Sequence, residues 1–148
     1  NRSSTSDIGA RVFNSAAISL TNDTVTVLTF DSERFDTDTI HSTASNTGRL
    51  TATTAGKYII IANISFQDNV TGYRLIRFIV NAATIIATFA SPAVATAGAA
   101  TRMAVSTIYS LAATDYVTVS AYQNSGGALN VLAEANESPE FAMMKQVG

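Results

Sequence analysis

Apolar residues recur at alternate positions in short runs along this chain, and clusters of Asn, Asp, Ser and Gly break the runs apart. In the stretch 57–66, Tyr58, Ile60, Ala62, Ile64 and Phe66 fall on one side of a period-two pattern. That repeat belongs to a strand and does not fit the 3.6-residue period of a helix. The same reading predicts strands at Arg11 to Asn14, Ile18 to Leu20, Thr24 to Phe30, Arg49 to Thr53, Lys57 to Phe66, Tyr73 to Val80, Thr84 to Phe89, Met103 to Leu111, Tyr116 to Gln123, Leu129 to Leu132 and Glu140 to Val147. Turn chemistry lies between them, as in Thr21-Asn22-Asp23, Asn69-Val70-Thr71-Gly72 and Asn124-Ser125-Gly126-Gly127. Residues 90–101 are Ala-rich, but Pro92, Gly98 and the interspersed Val and Thr argue for a long loop over a helix. The expected class is all-β: a sandwich of two antiparallel sheets with about ten strands, in jelly-roll or related form.

Residues 1–9 are polar and without periodicity, and are read as an N-terminal arm or linker end; 10–148 form the domain. The chain starts at Asn1 without Met, which is read as the mark of a processed product or an excised domain.

Two of the long runs are apolar on both faces. Behind the stripe led by Tyr58 stand Ile59 and Ile61, before Asn63 and Ser65 turn that face polar. In the next run, Tyr73, Leu75 and Ile79 lie on one face and Ile76, Phe78 and Val80 on the other, interrupted by Arg74 and Arg77. A sandwich strand ordinarily shows water a polar face, so a second apolar face predicts a cover, and without helices the natural cover is another copy of the chain. The alternative is a scattered apolar exterior. The candidate interface residues are Ile59, Ile61, Tyr73, Ile76, Phe78, Tyr109, Tyr116 and Tyr122.

Composition strengthens that expectation. Only 14% of residues are charged, against about 25% in soluble domains, so the exterior is either built from Thr, Ser, Asn and Ala or buried against copies. A net charge of −2 gives no basic footprint for nucleic acid. No apolar run approaches the roughly 18 residues of a membrane span, and no secretory leader opens the sequence, so membrane insertion is not expected. The absence of Cys removes disulfides and thiolate chemistry.

Candidate site chemistry is sparse. His41 is the single histidine, so a Ser-His-Asp triad would have to use it, and a two-histidine metal site within one chain is excluded. Around it, Asp31, Glu33, Asp36 and Asp38 make the densest acidic cluster. Asp31, Asp36, Asp38 and His41 are the candidate metal ligands, for Ca²⁺ if any; the competing reading is a solvated loop whose Asp side chains cap turns. Around a threefold axis one such residue would appear three times. Tyr73, Tyr109, Tyr116 and Tyr122 could stack sugars, yet without any Trp packing is the stronger role.

Several segments carry a family resemblance. Phe30-Asp31-Ser32-Glu33-Arg34-Phe35-Asp36, then Thr47-Gly48-Arg49-Leu50 and Ala55-Gly56-Lys57-Tyr58, resemble the motifs of C1q-like domains, the globular heads of the C1q/TNF class. Leu111-Ala112-Ala113-Thr114-Asp115-Tyr116-Val117 is similar to that family's Leu-x-x-Gly-Asp-x-Val turn, with Thr114 where Gly is usual. Ser138-Pro139-Glu140-Phe141 is similar to its closing strand, with Ala142 in place of the customary Gly. The likeness runs from residue 10 to 148 and marks a fold more than a site. It implies a ten-strand jelly roll that associates as a homotrimer, and the cysteine-free, Thr- and Ala-rich composition looks more like bacteriophage or bacterial members.

The function these observations lead to expect is a noncatalytic homotrimeric module displayed on a virion, as capsid decoration, head fibre or tail fibre, or on a bacterial surface. Capsid or fibre proteins, or a host surface glycan or receptor, would be its partners. A secreted carbohydrate- or receptor-binding head of cellular origin is the second reading. A hydrolase on a β-scaffold is the third, disfavoured by the single histidine.

Overall fold

A computed structural model describes residues 7–147 of the chain. Those residues form twelve strands and no helix: β1 (Gly9–Phe13), β2 (Ile18–Leu20), β3 (Thr26–Val27), β4 (Ser32–Asp36), β5 (Leu50–Thr51), β6 (Gly56–Phe66), β7 (Tyr73–Val80), β8 (Thr84–Pro92), β9 (Thr101–Leu111), β10 (Tyr116–Gln123), β11 (Leu129–Val131) and β12 (Glu140–Lys145). The seven-stranded sheet runs in the order β2-β11-β6-β12-β1-β4, with β9 also paired to β6. The five-stranded sheet runs β3-β10-β7-β8, with β5 also on β10. Every pairing is antiparallel, and the first and last strands are neighbours from Gly9 beside Met144 to Phe13 beside Glu140. Long crossovers of this kind define a jelly roll and exclude a simple meander.

Alternation places the core where the sequence indicated. On β6, Tyr58, Ile60, Ala62, Ile64 and Phe66 are buried, and from the other sheet Ile76, Phe78, Val80, Val117, Val119 and Ala121 meet them. Phe141 joins the layers, its ring 5.5 Å from Phe30 and 5.7 Å from Phe78. Each such fully buried side chain contributes about 1.5–3 kcal/mol of apolar transfer.

Several boundaries differ from expectation. Ser32–Asp36 is a strand, not part of a loop: it lacks an apolar stripe and is strand-like because β1 supplies its hydrogen-bond partners, with a bulge between Arg11 and Val12. β8 continues through Pro92, so the Ala-rich connection shrinks to residues 93–100. Thr24 to Phe30 contributes only Thr26–Val27 as paired strand. β1 begins at Gly9, and of the expected arm, residues 1–6 lie outside the described residues.

Asp23, Asn46, Asn81 and Asn136 take left-handed turn positions, as their chemistry favours, but so do Thr39, Ala82 and Thr114. Between β7 and β8, Asn81 and Ala82 both have positive φ and Ala83 N donates to Val80 O at 3.0 Å, a type I′ turn within a three-residue loop, since Val80 pairs with Thr84. Before β10, Thr114 sits at φ 79° in the left-handed region that suits Gly.

Candidate functional site

The outward face of the seven-stranded sheet carries a continuous apolar row. Register sets it: Ile59 on β6 lies beside Ile108 on β9 and, on its other side, beside Met144 on β12, which lies beside Gly9 on β1. Ile59 is 40% exposed and Ile108 59%. One step along, Ile61 (44% exposed) lies beside Ala142. Gly9 matters because it has no side chain: a Cβ there would stand 2.0 Å from Met144 Sδ, so the thioether lies flat over the backbone and the row stays level. Ile59, Ile61 and Ile108 thus stand exposed together on β6 and β9, with half-buried Met144 of β12 beside them over the buried Gly9.

Charge borders the strip. Glu140, 3% exposed, accepts from Arg11 Nε at 2.7 Å and from Arg34 Nη2 at 2.8 Å. A buried carboxylate is tolerated because both oxygens are paired. Toward the same end of β6, on β9, Arg102 donates to Glu134. The carboxylate's hydrogen bonds hold the Arg102 guanidinium above its ordinary pKa, and the same contact holds Glu134 below its own.

The interface candidates separate into three places. Ile59 and Ile61 stand on this strip. Ile76 and Phe78 do not: both are fully buried between the sheets, because the face of β7 that carries them points inward, and they are core residues unavailable to a partner. Tyr73, Tyr116 and Tyr122 lie on the outward side of the five-stranded sheet, away from the strip. There Tyr73 and Tyr122 pack with ring centroids 5.3 Å apart, and Tyr122 donates its hydroxyl to Asp23, which raises the tyrosine's pKa. Tyr109 is half-buried on β9, packed against the core. Ile108 was not among the candidates, although it is the most exposed isoleucine of the row. Its neighbours Ser106 and Ser110 mark that face as polar, and only the register with Ile59 reveals its place.

The acidic cluster does not converge. Asp31 accepts from Ser15 N at 2.9 Å and from Ser15 Oγ, bonds that lower its pKa. Asp36 accepts from the amides of Ile40 and His41 at 2.9 and 2.8 Å. Asp38 accepts from Thr54 Oγ1 at 2.9 Å. Among the described residues no three His, Asp or Glu side chains are grouped to hold a metal ion; Asp31 and Asp36 accept backbone amides, and Asp38 accepts a threonine hydroxyl. His41 has a buried side chain with Glu33 Oε2 at 2.9 Å from Nδ1 and the Thr47 carbonyl at 2.9 Å from Nε2. Both ring nitrogens are engaged in fixing a loop, and neither faces a nucleophile.

No protein-family model matches the chain, and no curated protein sequence matches it. Solved structures do. Eiger TNF from S. frugiperda aligns with a TM-score of 0.63 at 13% identity, over 97% of this chain and 94% of that one. The globular domain of zebrafish complement 1qA aligns at 0.61 and 12%, over 93% of each chain. Murine APRIL aligns at 0.69 and 12%, over 95% of this chain and all of that one. The chain therefore has the jelly-roll fold of TNF and C1q domains.

Proposed function

We propose that this chain is a noncatalytic binding module that assembles as a homotrimer through the strip on its seven-stranded sheet. The observation that carries the reading is the cluster of exposed Ile59, Ile61 and Ile108, with half-buried Met144 beside Ile59. An exposed isoleucine cluster on a flat sheet is costly in water, and burial against a copy recovers about 25 cal/mol for each Å² covered. The C1q-like motifs imply the threefold form, and the fold shared with TNF and C1q domains supports it.

The setting we propose is extracellular display, on a virion or a bacterial surface, with a secreted head of cellular origin as the other form of the same role. Low charge and a Thr- and Ala-rich exterior support a surface meant for packing into an assembly. Sedimentation equilibrium at micromolar concentration tests the core of the reading. A species of three times the 15.5 kDa chain mass is expected, and a monomer would overturn it.

A further inference from the structure

On the sandwich face opposite the apolar strip, the outward side of the five-stranded sheet holds a groove of about 510 Å³. Tyr116 and Thr118 of β10 form its floor, Val27 of β3 and Thr29 one side, and Ile79 and Ala82 the other. Residues 46–49 close it. The volume falls within the roughly 300–1,000 Å³ of small-molecule sites.

The closing segment is fixed before any ligand arrives. The Thr47 carbonyl accepts from Phe30 N at 3.1 Å and lies 2.9 Å from the His41 ring, while Arg49 N donates to Asn46 O at 3.0 Å. Gly48 lets it press on the chain just past β3, since a Cβ there would lie 2.6 Å from Leu28 O. Its side chains, by contrast, are unengaged. Among the described residues, the side chains of Thr29, Asn46, Thr47 and Arg49 have no hydrogen-bond or ion-pair partner.

Arg49 defines the ligand's charge. Its guanidinium carbon lies 4.0 Å over the Tyr116 ring, which orients the planar fork and leaves its N–H edges open. A stacked guanidinium of this kind is shaped for a carboxylate, and no carboxylate of this chain lines the groove. Around it stand three threonine hydroxyls and an asparagine amide, with Val27, Ile79 and Ala82 as an apolar surface.

We propose that the groove binds a carboxylate-bearing saccharide. The carboxylate pairs with Arg49, ring hydroxyls meet Thr29, Asn46 and Thr47, and the C–H face of the ring lies on Val27 and Ile79. A neutral sugar would leave the guanidinium unpaired, and an acidic peptide would leave the hydroxyl wall unmatched. The inference deepens the binding-module reading and rests on it. It does not rest on self-association, because every lining residue belongs to one protomer.

An NMR titration of the ¹⁵N-labelled chain tests it, with glucuronic acid and N-acetylneuraminic acid as probes, their neutral counterparts glucose and N-acetylglucosamine, acetate, and a tetraglutamate peptide. The acidic sugars are expected to shift the amides of residues 46–49, 116 and 118, and Arg49→Gln to weaken them about tenfold or more, the scale of a charged hydrogen bond. Arg49→Lys is expected to restore only part of that loss, and Thr47→Val to weaken the sugars but not acetate. No shift in these amides would overturn the site. Acetate or the peptide binding as tightly as the sugars would overturn the saccharide assignment. Binding unchanged in Ile59→Asp is expected; binding lost there would overturn a single-protomer site. A wild-type chain that binds acidic sugars yet sediments as a monomer would overturn the trimer reading alone.

Discussion

Ile59 and Ile108 stand side by side on paired strands, both directed out of the seven-stranded sheet and both exposed. Neither contributes to the core, so their substitution separates assembly from folding. Ile59→Asp and Ile108→Asp are each expected to weaken the trimer by about 2 kcal/mol or more, the scale of an interface anchor. Monomer stability should change by no more than about 0.5 kcal/mol. Sedimentation and urea denaturation of the dissociated chain read the two quantities.

Phe78 provides the contrasting case. It is fully buried and stacked 5.7 Å from Phe141, so Phe78→Ala opens a cavity between the sheets. A loss of about 3–5 kcal/mol is expected. Denaturant unfolding of the monomeric Ile59→Asp background would measure it free of assembly.

Arg74 is a buried cation without a carboxylate. Its guanidinium donates to the carbonyls of Asn69, Thr71 and Tyr73 at 2.8, 2.9 and 3.2 Å, and burial lowers its pKa. Arg74→Met keeps the bulk and leaves those carbonyls unpaired. A cost of about 2–3 kcal/mol and faster hydrogen exchange across residues 69–73 are expected.

Thr114 occupies left-handed backbone at φ 79°. Thr114→Gly removes a strain of about 1–3 kcal/mol and adds unfolded-state entropy worth about 0.5–1 kcal/mol. A net stabilisation of roughly 1 kcal/mol is expected, seen as a raised thermal midpoint.

Acid should weaken the fold through two turn carboxylates. Asp31 is held below the ordinary value of 3.8 chiefly by Ser15, and Asp115 chiefly by the Asn81 side chain and then the Ala112 amide. Because the folded pKa is depressed, their stabilisation is complete above the unfolded value and is lost as pH falls through the folded one. Stability should therefore decline below about pH 4, and Asp31→Asn with Asp115→Asn should flatten that decline in urea titrations taken stepwise into acid.

Alternation made β7 and β10 legible to the residue, Tyr73–Val80 and Tyr116–Gln123. It could not say which face of β7 was inside, since Ile76 and Phe78 compete with Tyr73, Leu75 and Ile79. Arg74 misleads further: a charge ordinarily marks the outer face, yet this one is inward at the strand's end, its two Nη groups donating to carbonyls of Asn69, Thr71 and Tyr73. β4 was invisible because its strand character comes from β1 and not from its own charged residues. Nearness in sequence did not bring the aspartates together: Asp36 caps the turn that follows it, while Asp31 and Asp38 accept from Ser15 and Thr54, each sixteen residues away. The Arg49 groove lay beyond any sequence pattern, because its residues come from segments that meet only through the order β3-β10-β7.

The strip and the groove lie on opposite faces of one sandwich. Copies that join through the first leave the second facing away from the axis, so assembly multiplies valency without covering a site. A ligand that each groove holds only weakly, repeated along a surface, would then be retained by effective concentration, with avidity exceeding single-site affinity by about 10²–10⁴ where spacing permits.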